Sequence, residues 1–248
     1  MSKHITTDEL WDFAPVAGRV FQPDQVSSLP SAARRYLEHA IAPATPLATA
    51  VRLKMQGEIK LKEWLPFTAE QVIRQDRGMI WSATVRMHGL PIVGADRLLD
   101  GAGEMKWKLF GIIPMMTASG PDITRSAVGR VATETIWLPS ALCGEDVTWT
   151  AAGSNCAHAH FEVQGETAEV DLAVDDAGRP TAVHTSRWGN PEGAVFHYGE
   201  FGGVFEEEGT FNGYTIPTRV RVGWYFGTDR FESEGEFFRA TIVEASYR

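Results

Sequence analysis

From residue 49 the chain alternates apolar and polar positions. Val51, Leu53, Met55, Ile59 and Leu61 fall to one side, and Arg52, Lys54, Gln56, Glu58 and Lys60 to the other, which is the pattern of a half-buried strand. It returns in Met79, Trp81, Ala83, Val85 and Met87 against Ser82, Thr84, Arg86 and His88, and in Met105, Trp107 and Leu109 against Glu104, Lys106 and Lys108. One face of each strand is kept wet by charge, and an aromatic-rich face is left to be covered. Further strands are expected over 68–75, 147–152, 157–163, 168–174, 181–188, 195–201, 218–226 and 235–247. Turn signals at Asp176-Ala177-Gly178 and Asn212-Gly213 separate neighbours at hairpin distance, which favours an antiparallel meander over βαβ units.

Helical periodicity is confined to three stretches. Short helices are expected near 7–13 and 31–41, the second with Ser31 as its N-cap. The third covers 122–138, between the Gly120-Pro121 breaker and Pro139. At roughly 100° per residue, Val128, Val131, Ala132 and Thr135 share one side, and Ser126, Arg130, Glu134 and Trp137 the other. The expected architecture is a single α+β, mainly β domain over 1–248: a helical segment at 1–45, then an antiparallel sheet over 49–248 with a helix inserted near 122–138. The 248 residues are compatible with one unit, because all-β domains reach this length.

Charge and cysteine content narrow the function classes. A formal net charge of −9 works against nucleic-acid binding, which needs clustered Lys and Arg on phosphates, and against anionic membrane surfaces. Cys143 and Cys156 are too few for a disulfide framework and are read as reduced. The N-terminus has no apolar core segment, and the most apolar stretch, 109–116, is short and broken by Pro114. No membrane span and a cytoplasmic location are therefore expected.

The polar side of the third helix carries the strongest candidate chemistry. An arginine and a glutamate one turn apart, beside a serine and a tryptophan, can hold a polar group or relay a proton. Such pairs most often sit on solvated helix faces, yet Trp137 in the same stripe implies that this side touches something. Arg130 and Glu134 are thus the catalytic candidates, and Trp137, Trp81, Trp107 and Met105 the apolar ligand contacts. Cys156, His158, His160 and Glu162 project from one strand face, with Glu169 or Asp171 able to lie opposite. No HExxH or CxxC accompanies them, so they are read as polar-face residues and not as a metal site. Asp100-Gly101-Ala102-Gly103 is read as a turn, since a dinucleotide loop would need a third glycine and a following helix. Glu206-Glu207-Glu208 is read as a solvated hairpin end. His184, His197, Arg187, Arg219 and Arg221 lie on expected strands, facing either water or a cavity. No Walker loop, GxSxG or SxxK motif is present, and nothing calls for a cofactor.

Several segments resemble an uncharacterised bacterial domain-of-unknown-function family: Arg35-Tyr36-Leu37, Trp64-x-Pro66-Phe67-Thr68-Ala69-Glu70, Asp100-Gly101-x-Gly103-x-Met105 and Ala118-Ser119-Gly120-Pro121. The most specific is Ser126-x-x-Gly129-Arg130-x-x-x-Glu134-x-x-Trp137-Leu138-Pro139-x-Ala141-Leu142. Ile216-Pro217-Thr218-Arg219, Trp224-Tyr225-x-Gly227-Thr228-Asp229 and Gly235-Glu236-Phe237-Phe238-Arg239 match its C-terminal half. The resemblance implies a large curved antiparallel sheet of the lipoprotein-carrier type, a half-barrel that holds acyl chains, with a few helices packed over its concave face. It adds Arg219, Trp224 and Asp229 to the candidates and carries no activity. Relatives often begin with an apolar anchoring segment that this sequence lacks, which weighs against a membrane or envelope role.

Two functions fit. One is a binding protein for an apolar or amphipathic small molecule, motivated by the repeated Trp, Met and Phe on the dry strand faces. The other is a cofactor-independent lyase, isomerase or hydrolase that uses Arg130 and Glu134 in the same cavity. The oligomeric state is not legible.

Overall fold

A computed structural model describes residues 5–193 and 195–248. Its strands are β1 (Ala50–Lys60), β2 (Trp64–Arg74), β3 (Gly78–Met87), β4 (Leu90–Leu99), β5 (Ala102–Leu109), β6 (Ile113–Ser119), β7 (Thr148–Ala151), β8 (Cys156–Val163), β9 (Glu166–Val174), β10 (Pro180–Gly189), β11 (His197–Phe211), β12 (Tyr214–Trp224) and β13 (Glu236–Tyr247). All thirteen form one sheet, in the order β6-β5-β4-β3-β2-β1-β13-β12-β11-β10-β9-β8-β7. Every neighbouring pair is antiparallel. The first and last strands meet at the centre, so the chain makes two meandering wings that end in β6 and β7. The expected mainly β class is therefore observed.

Three α-helices accompany the sheet: α1 (Thr7–Asp12), α2 (Ser31–Ala40) and α3 (Pro121–Glu134). α3 carries the chain from β6 to β7, the two opposite edges, and touches β4, β5 and β6 on one wing and β8, β9 and β10 on the other. Laid flat, thirteen strands would separate those edges by roughly 55–60 Å. Fourteen helical residues span only about 21 Å, so both wings reach one helix because the sheet curls around it. The main core fills this concave side: Val51, Leu53, Met79, Trp81, Val170 and Leu172 from the sheet meet Tyr36, Leu37, Val131 and Ile136.

The helices are not all on that side. Thr6 caps α1 in a reciprocal pair with Glu9, and Leu10 of α1 packs with Val72 and Ile80 in a separate cluster. Val72 and Ile80 alternate with the concave-facing Ile73, Met79 and Trp81, so α1 dries a patch of the convex face that alternation alone marks as wet.

Several expectations are corrected. Ser31 is the first helical residue of α2, not its cap, and its hydroxyl accepts from Arg35 Nη1 at 2.7 Å. The third helix ends at Glu134 and tightens into a 3₁₀ turn, Thr135–Trp137. β4 and β6 are strands where none was expected. The acidic run Glu206-Glu207-Glu208 lies inside β11, with Glu207 opposite Arg219 and Glu208 opposite Pro217 across bulges. The turn after β11 is Asn212-Gly213, both with positive φ (51° and 88°), as a two-residue type I′ hairpin requires. Leu61 lies beyond β1 and is 63% exposed. Cys143 and Cys156 are free, and among the described residues no helix is long and apolar enough to cross a membrane.

The Asp100–Gly103 segment explains how α3 docks. Asp100 and Gly101 take positive φ in the β4–β5 turn, and the backbone N–H of Gly103 donates to Thr124 Oγ1 at 2.9 Å. A Cβ at position 103 would fall 2.6 Å from the Thr124 Cα. Gly103→Ala should therefore push α3 off β5 and cost about 1–3 kcal/mol. In urea unfolding this should appear as a lower midpoint with an unchanged slope; an unaltered midpoint would mean that the helix does not sit this close to the strand.

Candidate functional site

The concave face is not completely filled. Between α3 and the central strands lies a cavity of about 210 Å³. Its apolar wall includes Trp81, Met105, Trp137, Phe201, Phe205, Phe237 and Phe238, closed by Ile59, Ile136 and three valines. The ring of Phe238 stacks on Phe67 at 5.1 Å, and Trp81 packs edgewise on Phe67 at 5.6 Å. The indole N–H of Trp137 donates to the Pro217 carbonyl at 3.0 Å, which fixes the ring at the end of the helix.

Charged side chains enter this wall at four places, Asp96, Arg130, Glu134 and Arg187, beside the hydroxyl of Thr133. Asp96 belongs to β4, on the face that also carries Ile92 and Leu98. Arg130 bridges the two acids, donating from Nε to Glu134 Oε1 at 2.8 Å and from Nη1 to Asp96 Oδ2 at 3.0 Å. The other oxygens are also occupied: Trp107 Nε1 donates to Asp96 Oδ1 at 2.9 Å, and Gln71 Nε2 to Glu134 Oε2 at 2.6 Å. The guanidinium of Arg130 lies 5.0 Å over the Trp81 ring. Burial pushes the Asp96 carboxyl above the usual carboxylate range, against the pull of Arg130 and Trp107. Burial also works against the charge on Arg130, but Glu134 and Asp96 outweigh it and hold that guanidinium above its ordinary value.

Arg187 is held differently. Its Nε donates to the Ser126 carbonyl at 3.0 Å and its Nη2 to Ser126 Oγ at 3.3 Å. Its guanidinium rests 4.4 Å over Phe201 and 5.3 Å over Trp224. Among the described residues no carboxylate lies within ion-pair distance of it. Burial, and then the like charge of Arg130, push its pKa down to about 9. The stem of Arg187 crosses α3 at Gly129, where a Cβ would fall 2.8 Å from the Arg187 Cγ. The Ser126-x-x-Gly129-Arg130-x-x-x-Glu134 spacing thus does two jobs: Ser126 and Gly129 seat Arg187, and Arg130 and Glu134 carry the ionic network.

The structure brings Arg130, Glu134, Trp137, Trp81 and Met105 together at one cavity. Trp107 stands one step back, lying over Gly94, whose added Cβ would meet its ring at 2.4 Å, and holding Asp96. Trp224 contacts Arg187 and Phe201 and does not line the cavity. Arg219 is not part of the site: it is 57% exposed and paired with Glu206 at 3.0 Å and Glu207 at 3.2 Å. Asp229 is exposed in the turn after β12. His158 and His160 face Asp171 and Glu169 across β8 and β9, at 2.9 and 3.1 Å, and no metal-holding cluster occurs among the described residues. Asp96 and Gln71 were not singled out by sequence, whereas Arg187, which sequence left facing either water or a cavity, lies at the cavity. Gln71 lies directly opposite Trp81 in the β2–β3 register.

A larger depression of about 850 Å³ lies between Val131, Leu138 and the strand ends, with Arg74, Asp76, Glu162 and Gln164 in its wall. Arg74 there is already paired with Asp76 at 2.6 Å, so that surface offers no unsatisfied charge comparable to Arg187.

A family of unknown function, DUF6920, matches residues 27–247. No curated protein matches the chain. Among solved structures, a domain described as an outer membrane lipoprotein-sorting protein from Vibrio parahaemolyticus is 9% identical, with a TM-score of 0.43 over 81% of this chain and 86% of that one. A LolA superfamily protein from Nitrosomonas europaea is 10% identical, with a TM-score of 0.45 over 88% and 92%.

The network gives a direct expectation. Arg130→Met leaves two partly buried acids facing each other without their cation, and it should destabilise the fold by about 3–5 kcal/mol at neutral pH. With the cation gone, the Asp96 carboxyl moves still further above its unfolded pKa of about 3.9. Across the window from that value up to the raised one, the native state binds more protons than the unfolded chain, so the variant gains stability as pH falls. Urea unfolding of both proteins at about pH 7 and about pH 5 should show the gap between them narrowing in acid. A gap that is independent of pH would show that the acids do not depend on Arg130.

Proposed function

The chain belongs to DUF6920, a family of unknown function, and we propose that it is a binding protein for a compact apolar or amphipathic small molecule held under α3. The observation that carries this reading is the unfilled volume in an otherwise packed core. Protein interiors leave few voids larger than a water molecule, and this one is walled mainly by aromatic and aliphatic side chains. Larger side chains at Val183, Val220 or Val222 would remove it. A space lined by aromatics and left open fits a role for the space itself.

Its size limits the occupant. Cavities of about 150 Å³ admit benzene, and drug-sized pockets begin near 300 Å³. About 210 Å³ suits a molecule of one or two rings or a short branched chain, and is small for a long acyl chain. Binding is favoured over catalysis because most of the cavity wall is apolar, and its two acids are tied into the Arg130 network.

Val222→Trp should fill the cavity from the β12 side. Equilibrium dialysis with naphthalene should show saturable binding to the wild type and at least about tenfold weaker binding to the variant, whose urea midpoint stays equal or rises as the void is filled. Naphthalene uptake that is absent in the wild type, or unchanged in the variant, would refute the proposal.

A further inference from the structure

Every ionised oxygen at the cavity has a donor, but one of its two cations has no acid. Glu134 and Asp96 are committed to Arg130, Gln71 and Trp107. Arg187 lines the same cavity and has only the two neutral oxygens of Ser126 as hydrogen-bond acceptors. A guanidinium carries five N–H donors in a planar fork; here Nη1 donates to no described residue. An arginine drawn partly out of water without a carboxylate carries a cost, and this one is accommodated: Gly129 leaves room for its stem, and Phe201 and Trp224 support its face.

We propose that Arg187 is the counter-ion for a carboxylate on the ligand, so that the cavity takes a small aromatic or branched aliphatic acid, with its apolar body against the Phe and Trp wall and its carboxylate on the guanidinium. This rests on the cavity being a binding site and adds the chemical class of what it binds. The planar fork matches a carboxylate in bidentate geometry, which an ammonium would not. Long-range repulsion from Glu134 and Asp96 opposes an incoming anion, but both charges are already neutralised in part by Arg130, whereas a cationic ligand would meet Arg187 with no acid to spare.

The test compares naphthoate with naphthamide, which share a body and differ in charge, by calorimetric titration of the full chain. Wild-type protein should bind naphthoate at least about tenfold more tightly than naphthamide. Arg187→Met should weaken naphthoate by about 30-fold or more and bring the two probes to within about threefold of each other. The wild-type comparison stands without any variant. Equal affinities in the wild type, or a preference for the acid that survives in Arg187→Met, would overturn the carboxylate assignment while leaving the cavity as a binding site. If neither probe binds, the cavity reading fails and the assignment falls with it.

Discussion

The fold depends on α3 gripping both wings of the sheet at once. On one side Arg130 reaches Asp96 of β4 at 3.0 Å, and Thr124 receives the Gly103 backbone of β5. On the other side Arg187 of β10 reaches back to Ser126. A thirteen-stranded sheet has no intrinsic reason to curl by a particular amount, since twist alone leaves open sheets splayed. A helix about 21 Å long, fastened at both flanks, sets the curvature. The cavity follows from that geometry: a cylinder lying in a trough touches its walls along two lines and leaves a space between them, which side chains must fill or leave open.

The sheet was legible where its two faces differ in polarity. β1 and most of β3 show clean alternation because their convex residues are mainly polar and their concave ones apolar, Ile80 under α1 being the exception. β4 breaks the rule from within: its concave residues run Ile92, Gly94, Asp96, Leu98, because Gly94 gives way to the Trp107 ring and Asp96 serves Arg130. β6 fails for the opposite reason. It is an edge strand whose Ile113, Met115 and Met116 are 55%, 50% and 42% exposed, so neither face is distinctly wet. The acidic run in β11 looked like a loop because three like charges in a row disfavour pairing; Arg219, Arg221 and Arg179 around it supply the missing attraction.

The site was half legible. Arg130 and Glu134 stand one helical turn apart, a local relation that sequence spacing expresses directly. Asp96, Gln71 and Arg187 come from β4, β2 and β10, and their partnership with the helix is set by sheet register and curl, which no local pattern encodes. Each is also a polar residue on a dry face, and alternation assigns such residues to solvent by default. The Arg130–Glu134 pair does not sit on a solvated helix face, where such pairs are most common: both side chains are under one-fifth exposed, because the second face of α3 is covered by the opposite wing. Arg219 differs the other way: this strand arginine after the Ile216-Pro217-Thr218 run faces its acidic neighbours outside.

Three local compromises converge on one small volume. Gly129 sits in the middle of a helix, where glycine costs roughly 1 kcal/mol relative to alanine. Asp96 stands on the dry side of a strand, where a carboxylate must be desolvated. Arg187 is drawn partly out of water without an acidic partner. Folding alone would be served better by alanine, by a small apolar residue and by an aliphatic chain at these positions, which would also close the void. Departures from local consistency that cluster in space, when the rest of the chain obeys it, mark the places where a sequence answers to something other than its own stability. The first two compromises are explained within the protein, by Arg187 and Arg130 respectively. The third has no acidic partner within ion-pair distance among the described residues, and it lies at the cavity wall.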